Sequence, residues 1–537
     1  MQNEPMLRRV RCASVLLLLL GWTTACIRAD QPSLFAGLPP VHPDAALSLK
    51  TDTADWYKDA VVYHLWVASF RDSDKDGVGD LKGIIEGLDT LKDMGITCLW
   101  LSPFFKSSSN ARNLHGYDVI DHYSVDPRLG ANDDAKTLVR EAHARGIRLI
   151  FDFVPNHLSS RHPWFIESRD RNSPKRDWFV WRDARPENGW TSSGRSTWQA
   201  ADGAFYYAVF GGGMPDVNHR KADVRLEIAK AARHWLDLGF DGLRVDSVKY
   251  LYENVSGAGE KSDREDLPET IAWFEGFRRE VLDPYTGPGY AKFMVAENWT
   301  GDRSSLLKYM GSAERPGFHM TFDFPLLGSF TKLNPSLARE LWTWDAQLPG
   351  HAWLGTFVSN HDLAADRPGT LFANQPEKLR AQTAWLLLGP GTPFIYYGNE
   401  IAQPQGPERG DTKHRKPLDW AAVQRQHDDA SSIWHWHQQL IRLRAQHASI
   451  RRGKAQFLQS SGGESVLALW RTYGDDTTLT IFNAQDAPIR SLTVTLPAGA
   501  ARGLFILGSG PNSPAGAGRL EAGPFAQFET KVLHFRP

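Results

Sequence analysis

Three segments of this chain run apolar and then end on a carboxylate: Gly242-Leu-Arg-Val-Asp246, Phe293-Met-Val-Ala-Glu297 and Phe357-Val-Ser-Asn-His-Asp362. The apolar residues bury each run as a strand, and the acid appears where the strand should leave the core. A single such Asp is equally well explained as a helix N-cap or a solvated loop residue. Three in one chain suggest acids converging on a common rim, where nucleophilic and acid/base work can be divided among them. That division of labour suits cleavage of a glycosidic bond.

A second acidic group has a different character. Asp72-Ser-Asp74-Lys-Asp76-Gly-Val78-Gly-Asp80 sets four carboxylates at close, mostly alternating positions, with glycines permitting a tight turn. Crowded acids repel one another unless a hard cation binds them, and calcium, with about six to eight oxygen ligands, fits that crowding. The spacing partly mimics an EF-hand loop, but position 12 is Gly83 rather than Glu.

The elements that must position these groups alternate in type. Strands are expected near Val61–Val67, Thr97–Leu101, Arg148–Phe153, Gly242–Val245, Phe293–Ala296, Thr321–Phe324, Thr356–Ser359 and Pro393–Tyr397, with helical patterns between, such as Asp134–Arg145 and Val224–Leu238. Strand–helix alternation implies parallel pairing with right-handed crossovers. Eight such strands favour an α/β fold closed as a (β/α)8 TIM barrel, here over residues 53–450. The Trp- and Arg-rich stretch 157–218 is too long for a simple loop and reads as a small domain inserted after the third strand. Over 451–537 the helical pattern gives way to short alternating runs (Ser465–Trp470, Thr478–Phe482, Ser491–Leu496), which predict a C-terminal antiparallel β-sandwich.

The first residues stand apart. Arg8, Arg9 and Arg11 precede the apolar run Ala13–Leu20 and a small-residue end, Thr23-Thr24-Ala25-Cys26, the pattern of a signal peptide over 1–26. The run is too short for a permanent membrane span. Cys26 is a candidate lipid anchor, although Thr23 stands where such sites usually carry Leu. Residues 27–52 read as a linker. Export to the periplasm or the extracellular space is therefore expected. A disulfide framework is not, because Cys98 is the single cysteine left after the leader and Cys26. With 61 basic and 62 acidic residues, nothing in the charge balance calls for a nucleic-acid partner, and a monomer is expected.

The motif order resembles that of the α-amylase family of retaining glycoside hydrolases, family 13. It is carried by Asp152-Phe-Val-Pro-Asn-His157, Met214-Pro-Asp-Val-Asn218, Gly242-Leu-Arg-Val-Asp-Ser-Val-Lys249, Val295-Ala-Glu297 and Phe357-Val-Ser-Asn-His-Asp362. The resemblance implies Asp246 as nucleophile, Glu297 as general acid/base and Asp362 as the third carboxylate. Arg244, two residues before Asp246 on the same strand face, would hold the nucleophile. In His115-Gly-Tyr-Asp118 the resemblance makes Tyr117 the aromatic beneath the cleaved sugar and His115 a neighbour in the same subsite. His157 and His361 would hydrogen-bond that sugar. Lys249 would contact the sugar beyond the cleavage point, and Asp118 with Arg415 resembles a pair that clamps a non-reducing end.

For the acidic loop, the resemblance is to a calcium loop after the first barrel strand, bound through Asp72, Asp74, Asp76, Asp80 and the Val78 carbonyl. Asn156 matches one ligand of a second calcium site, but Asn218 and Tyr250 depart from its usual Asp and His. The implied activity is hydrolysis of α-1,4 bonds in starch or maltooligosaccharides. An α-glucosidase and a trehalose-forming or transglycosylating relative are the alternatives.

Overall fold

The structure, a computed structural model, describes residues 33–41, 49–50, 53–109, 114–187, 189–192, 194–255, 261–287, 289–362, 365–510 and 518–536. The expected signal peptide and Cys26 lie outside the described residues. The expected linker is not a free tether throughout. Phe35 is buried against Trp273 and Phe277, with ring centroids 5.3 and 5.8 Å away, and its N–H donates to the Glu280 carboxylate. The buried ring and the hydrogen bonds of Leu34 and Phe35 to Glu280 dock this stretch.

Eight strands form the closed barrel: β1 (Val62–Leu65), β2 (Cys98–Leu101), β3 (Arg148–Phe153), β4 (Gly242–Val245), β5 (Phe293–Ala296), β6 (Met320–Phe322), β7 (Leu354–Phe357) and β8 (Thr392–Tyr396). Each pairs in parallel with the next, and β8 returns to β1 through Phe394 opposite Val62. The fold expected from the sequence is the fold observed. Several strand ends differ from expectation by one or two residues, two of them for local reasons seen in capping and pairing. Phe324 starts a helix, because the Asp323 side chain caps it by accepting from the Leu326 N–H at 3.2 Å. β7 begins two residues early, because Leu354 and Gly355 pair with Thr321 and Phe322.

Side chains alternate across the barrel wall with the period of two that strands impose. Val62, Cys98, Trp100, Ile150, Phe293, Val295, Phe322 and Phe394 fill the interior, while Tyr63, Leu65, Leu99, Phe151, Leu243 and Val245 join the core around the barrel. Cys98 is thus an interior residue, its thiol pushed up by burial. Gly242 shows how tight the wall is: a Cβ there would lie 2.1 Å from the Phe293 carbonyl oxygen of the neighbouring strand.

Between β3 and β4 the inserted segment forms a three-stranded sheet (Trp181–Arg182, Trp198–Ala201, Ala204–Tyr207) around a core of Val180, Trp190, Trp198, Tyr207 and Val209. After the barrel, a five-stranded antiparallel sheet faces a two-stranded one over Val466, Leu479, Val494, Leu520 and Leu533. No helix among the described residues is long and apolar enough to cross a membrane.

Candidate active site

Strand parity decides what reaches the barrel mouth. On β4, Gly242 and Arg244 point inward, and Asp246 continues that set one step past the strand end. On β5, Phe293 and Val295 do the same and Glu297 follows. On β7, Gly355 and Phe357 face the interior, so that Ser359 and His361 carry the series to the rim. Asp246 and Glu297 therefore emerge at the C-terminal ends of their strands, where barrel active sites are built, and Asp362 follows His361 at the same end of β7.

Arg244 organises the site. It is only 1% exposed, and it lies beside Asp152 in register, since β3 and β4 pair these two residues. Its Nη1 donates to Asp152 Oδ1 at 2.7 Å and to Asp246 Oδ1 at 2.8 Å, and its Nη2 lies 2.9 Å from Glu297 Oε2. Asp246 and Glu297 are thus held on the two arms of one guanidinium. Such a fork holds two acids side by side, as a double-displacement reaction, which needs carboxyls about 5–5.5 Å apart, requires. Glu297 Oε2 also accepts from the Ser247 N–H at 3.1 Å. Ser247 adopts a left-handed backbone (φ 51°), a conformation that costs about 1–3 kcal/mol in a non-glycine residue and that here accompanies the N–H contact to the acid.

Burial raises Glu297 to about 8; the charges of Asp246 and Asp362 add to the rise and Arg244 opposes it. A carboxyl that keeps its proton at neutral pH can act as an acid. Asp152, fully buried, is raised to about 7 by burial against the pull of Arg244. Asp362 is also raised, chiefly by burial and against the pull of Arg415 and Arg244.

Tyr117 enters from the loop after β2. Its hydroxyl donates to Asp152 Oδ2 at 3.0 Å and lies 2.7 Å from His361 Nε2. His361 Nε2 in turn lies 3.2 Å from Asp362 Oδ2, and Arg415 Nη2 donates to Asp362 Oδ1 at 3.2 Å. His157 is buried, its Nε2 has no protein partner, and it lies close enough to Asp246, His115 and Asp118 to feel their charges. A buried, unsatisfied imidazole nitrogen beside paired acids is a natural contact for a substrate hydroxyl. The Asp118 carboxylate accepts from the hydroxyls of Ser108 (2.6 Å) and Ser109, and His115 Nδ1 lies 3.7 Å away. Lys249 is buried and paired at 2.8 Å with Glu265, so the structure gives its ammonium a protein partner.

The sequence reading passed over Asp152, Trp100 and His64. Trp100 Nε1 donates to Asp152 Oδ2 at 3.2 Å, and His64 stacks on the Trp100 ring at 3.5 Å. His64, Trp100, Phe322, Phe357 and Tyr396 line a cavity that runs down from Arg244 and Glu297 into the barrel. Asp152 did carry a signal: a charged residue inside the apolar strand Leu-Ile-Phe-Asp-Phe must find a buried partner.

In the acidic loop, Asp72, Asp74 and Asp80 bring one carboxylate oxygen each within 4.8 Å of one another. Asp76 instead accepts from the Val78 N–H at 2.8 Å. Asp80 also accepts from the Gly83 N–H at 2.7 Å, capping helix Leu81–Met94. An all-carboxylate donor set of this kind suits a hard divalent cation. Asn156, the candidate for a second ion, donates through Nδ2 to Asp216 Oδ2 at 3.0 Å, while its buried Oδ1 has no protein partner.

Comparison with known proteins agrees with this geometry. The family model described as "Alpha amylase, catalytic domain" matches residues 64–453. Alpha-amylase 3 of Dictyoglomus thermophilum is 32% identical over 466 residues, covering 80% of this chain and 85% of that protein. The trehalose synthase/amylase TreS of Mycolicibacterium smegmatis is 33% identical over 509 residues, covering 80% of this chain and 83% of its own. The crystal structure of the α-glucosyl transfer enzyme XgtA superposes with a TM-score of 0.76 at 27% identity, covering 90% of this chain and 99% of that one. The chain belongs to the α-amylase family, glycoside hydrolase family 13.

Proposed function

We propose, for this member of the α-amylase family, retaining hydrolysis of α-1,4-glucosidic bonds in starch or maltooligosaccharides. The observation that carries the reading is the single buried guanidinium of Arg244 shared by Asp246 and Glu297. In the first step an Asp246 oxygen attacks the anomeric carbon and the bond to the leaving oxygen breaks. The Glu297 proton passes to that oxygen. In the second, the Glu297 carboxylate takes a proton from water, whose oxygen attacks the same carbon and releases Asp246. Tyr117 forms the platform beneath the sugar, and His157 and His361 bind its hydroxyls. Asp362 binds hydroxyls on the same ring and favours its distortion towards the oxocarbenium-like state.

Product analysis on soluble starch, maltotriose and maltose tests this reading. Mixed maltooligosaccharides from starch are the expected result, and absence of turnover on all three would overturn it. A second reading, an exo-acting α-glucosidase or a trehalose-forming relative, draws on Asp118 and Arg415, whose charges both act on His115 beside the sugar position. Glucose alone, or trehalose from maltose, would favour that reading.

The acid role predicts a pH limb. Because Glu297 must be protonated to release the leaving group, kcat/KM should hold below about 8 and fall as pH rises through that value. A profile recorded for wild type and for Glu297→Gln checks this, since the variant should lose the alkaline limb. An unchanged limb in the variant would assign it to another group.

Calcium in the acidic loop is proposed as a structural ion held by Asp72, Asp74 and Asp80, linking the loop to the helix that Asp80 caps. At a calcium concentration about a hundredfold above Kd, the ion would contribute about 2.7 kcal/mol. Adding Ca2+ to the chelator-treated protein should therefore raise Tm in wild type and leave Asp72→Asn/Asp74→Asn nearly unmoved. Equal shifts in both proteins would count against the site.

A further inference from the structure

The C-terminal sheet meets the last barrel helices at a cluster that the proposed reaction does not use. His447 separates helices Ile433–Gln446 and Ala448–Arg452; Asp476 opens strand Asp476–Asn483, and His534 lies on strand Thr530–Phe535. His534 Nε2 is 3.0 Å and His447 Nδ1 is 3.2 Å from the same oxygen, Asp476 Oδ1, and all three donor atoms lie within 4.8 Å of one another. The two imidazoles are tilted by 55° with centroids 4.6 Å apart, so they converge on the carboxylate instead of stacking flat.

The other carboxylate oxygen is engaged elsewhere. Asp476 Oδ2 accepts from the Ser449 N–H at 2.8 Å, which fixes the carboxylate plane and leaves Oδ1 for the histidines. An outer contact of this kind orients a metal-binding carboxylate. The three side chains are 12%, 22% and 17% exposed, enough to leave one face open to solvent. Metal bonds of about 2.0–2.1 Å in a tetrahedron place neighbouring donors about 3.3 Å apart. The two nitrogen–oxygen edges are within a few tenths of an ångström of that.

We propose that His447, Asp476 and His534 form a binding site for a divalent first-row transition ion, Zn2+ foremost, with water in the fourth position. Two imidazoles and one carboxylate select such an ion over calcium, which prefers an all-oxygen shell. The ligands come from three separated segments, so the bound ion would staple the C-terminal sheet to the barrel's final helices. The competing arrangement is a pair of imidazole N–H groups donating to Asp476 with no ion between them, and it predicts no metal uptake.

The test uses the full-length protein after chelator treatment, titrated with Co2+ as a spectroscopic probe and then with Zn2+. The expected result is one equivalent of Co2+ giving the ligand-field band of a four-coordinate, imidazole-bound ion, displaced by Zn2+. Tm should rise by about 2–3 °C at a hundredfold excess over Kd. His447→Gln/His534→Gln should abolish the band and the Tm shift while leaving turnover of an aryl α-glucoside unchanged, and Asp72→Asn should leave the band intact. Absence of a stoichiometric band in wild type, or its survival in the double variant, overturns the proposal. Should the double variant fail to fold, X-ray absorption of Zn2+-loaded wild type decides: a shell with two imidazoles supports the site, and an all-oxygen shell overturns it.

Discussion

Asp246→Asn is expected to lower kcat/KM on α-glucosides by on the order of 10⁴-fold or more, with Tm changed by no more than about 2 °C. The amide is isosteric and keeps a hydrogen-bond acceptor for Arg244, so the buried network survives while the carboxylate proposed to attack the anomeric carbon is lost. Glu297→Gln should behave differently in one respect. Its loss on maltooligosaccharides should be about 10²–10⁴-fold, the usual worth of a positioned acid. With an aryl glucoside whose leaving group departs unaided, formation of the glycosyl-enzyme should be nearly restored, and a burst of the aryl product should precede slow turnover. Comparing the two variants on both substrates separates the roles. Substantial activity of Asp246→Asn on either substrate, or no dependence of Glu297→Gln on leaving group, would refute the assignment.

Arg244→Met should be the most destabilising single change in the site, by about 3–5 kcal/mol, the range for removing one partner from a buried ion pair. The guanidinium is the shared partner of Asp152, Asp246 and Glu297, and Asp152 is fully buried. The loss should depend on pH. Burial already raises Asp152 to about 7 and Glu297 to about 8 against the opposing pull of Arg244, and removing that pull raises both further. A carboxyl raised in the folded state favours folding while protonated, and that advantage is lost as pH rises above its unfolded value. The variant should therefore be closer to wild type at pH 5 than at pH 8, as urea unfolding at both values would measure. A destabilisation below about 1 kcal/mol at both pH values would show that the three acids do not depend on Arg244. Activity should be lost at either pH, because Asp246 and Glu297 would no longer be held on a common fork.

What the sequence determined by itself is the set of groups that each strand delivers. The alternation of strand side chains is a property of the local backbone, so Arg244 with Asp246, and Val295 with Glu297, could be placed on one face before any neighbour was known. The same reasoning, applied to Asp152 inside an apolar strand, would have found the third partner of Arg244. The eight strand runs likewise specified the barrel, because parallel strands alternating with helices leave few ways to close. Tertiary structure decided everything that depends on distance between segments. It paired Arg244 beside Asp152, and it brought Tyr117 from a loop onto His361. It gave Lys249 the partner Glu265, and it brought Asp72, Asp74 and Asp80 together while Asp76 accepts from the Val78 N–H. It also gathered His447, Asp476 and His534 at one seam. No spacing along the chain encodes such meetings, because they follow from closure of the sheet and docking of the C-terminal strands, and both depend on contacts between residues far apart in sequence.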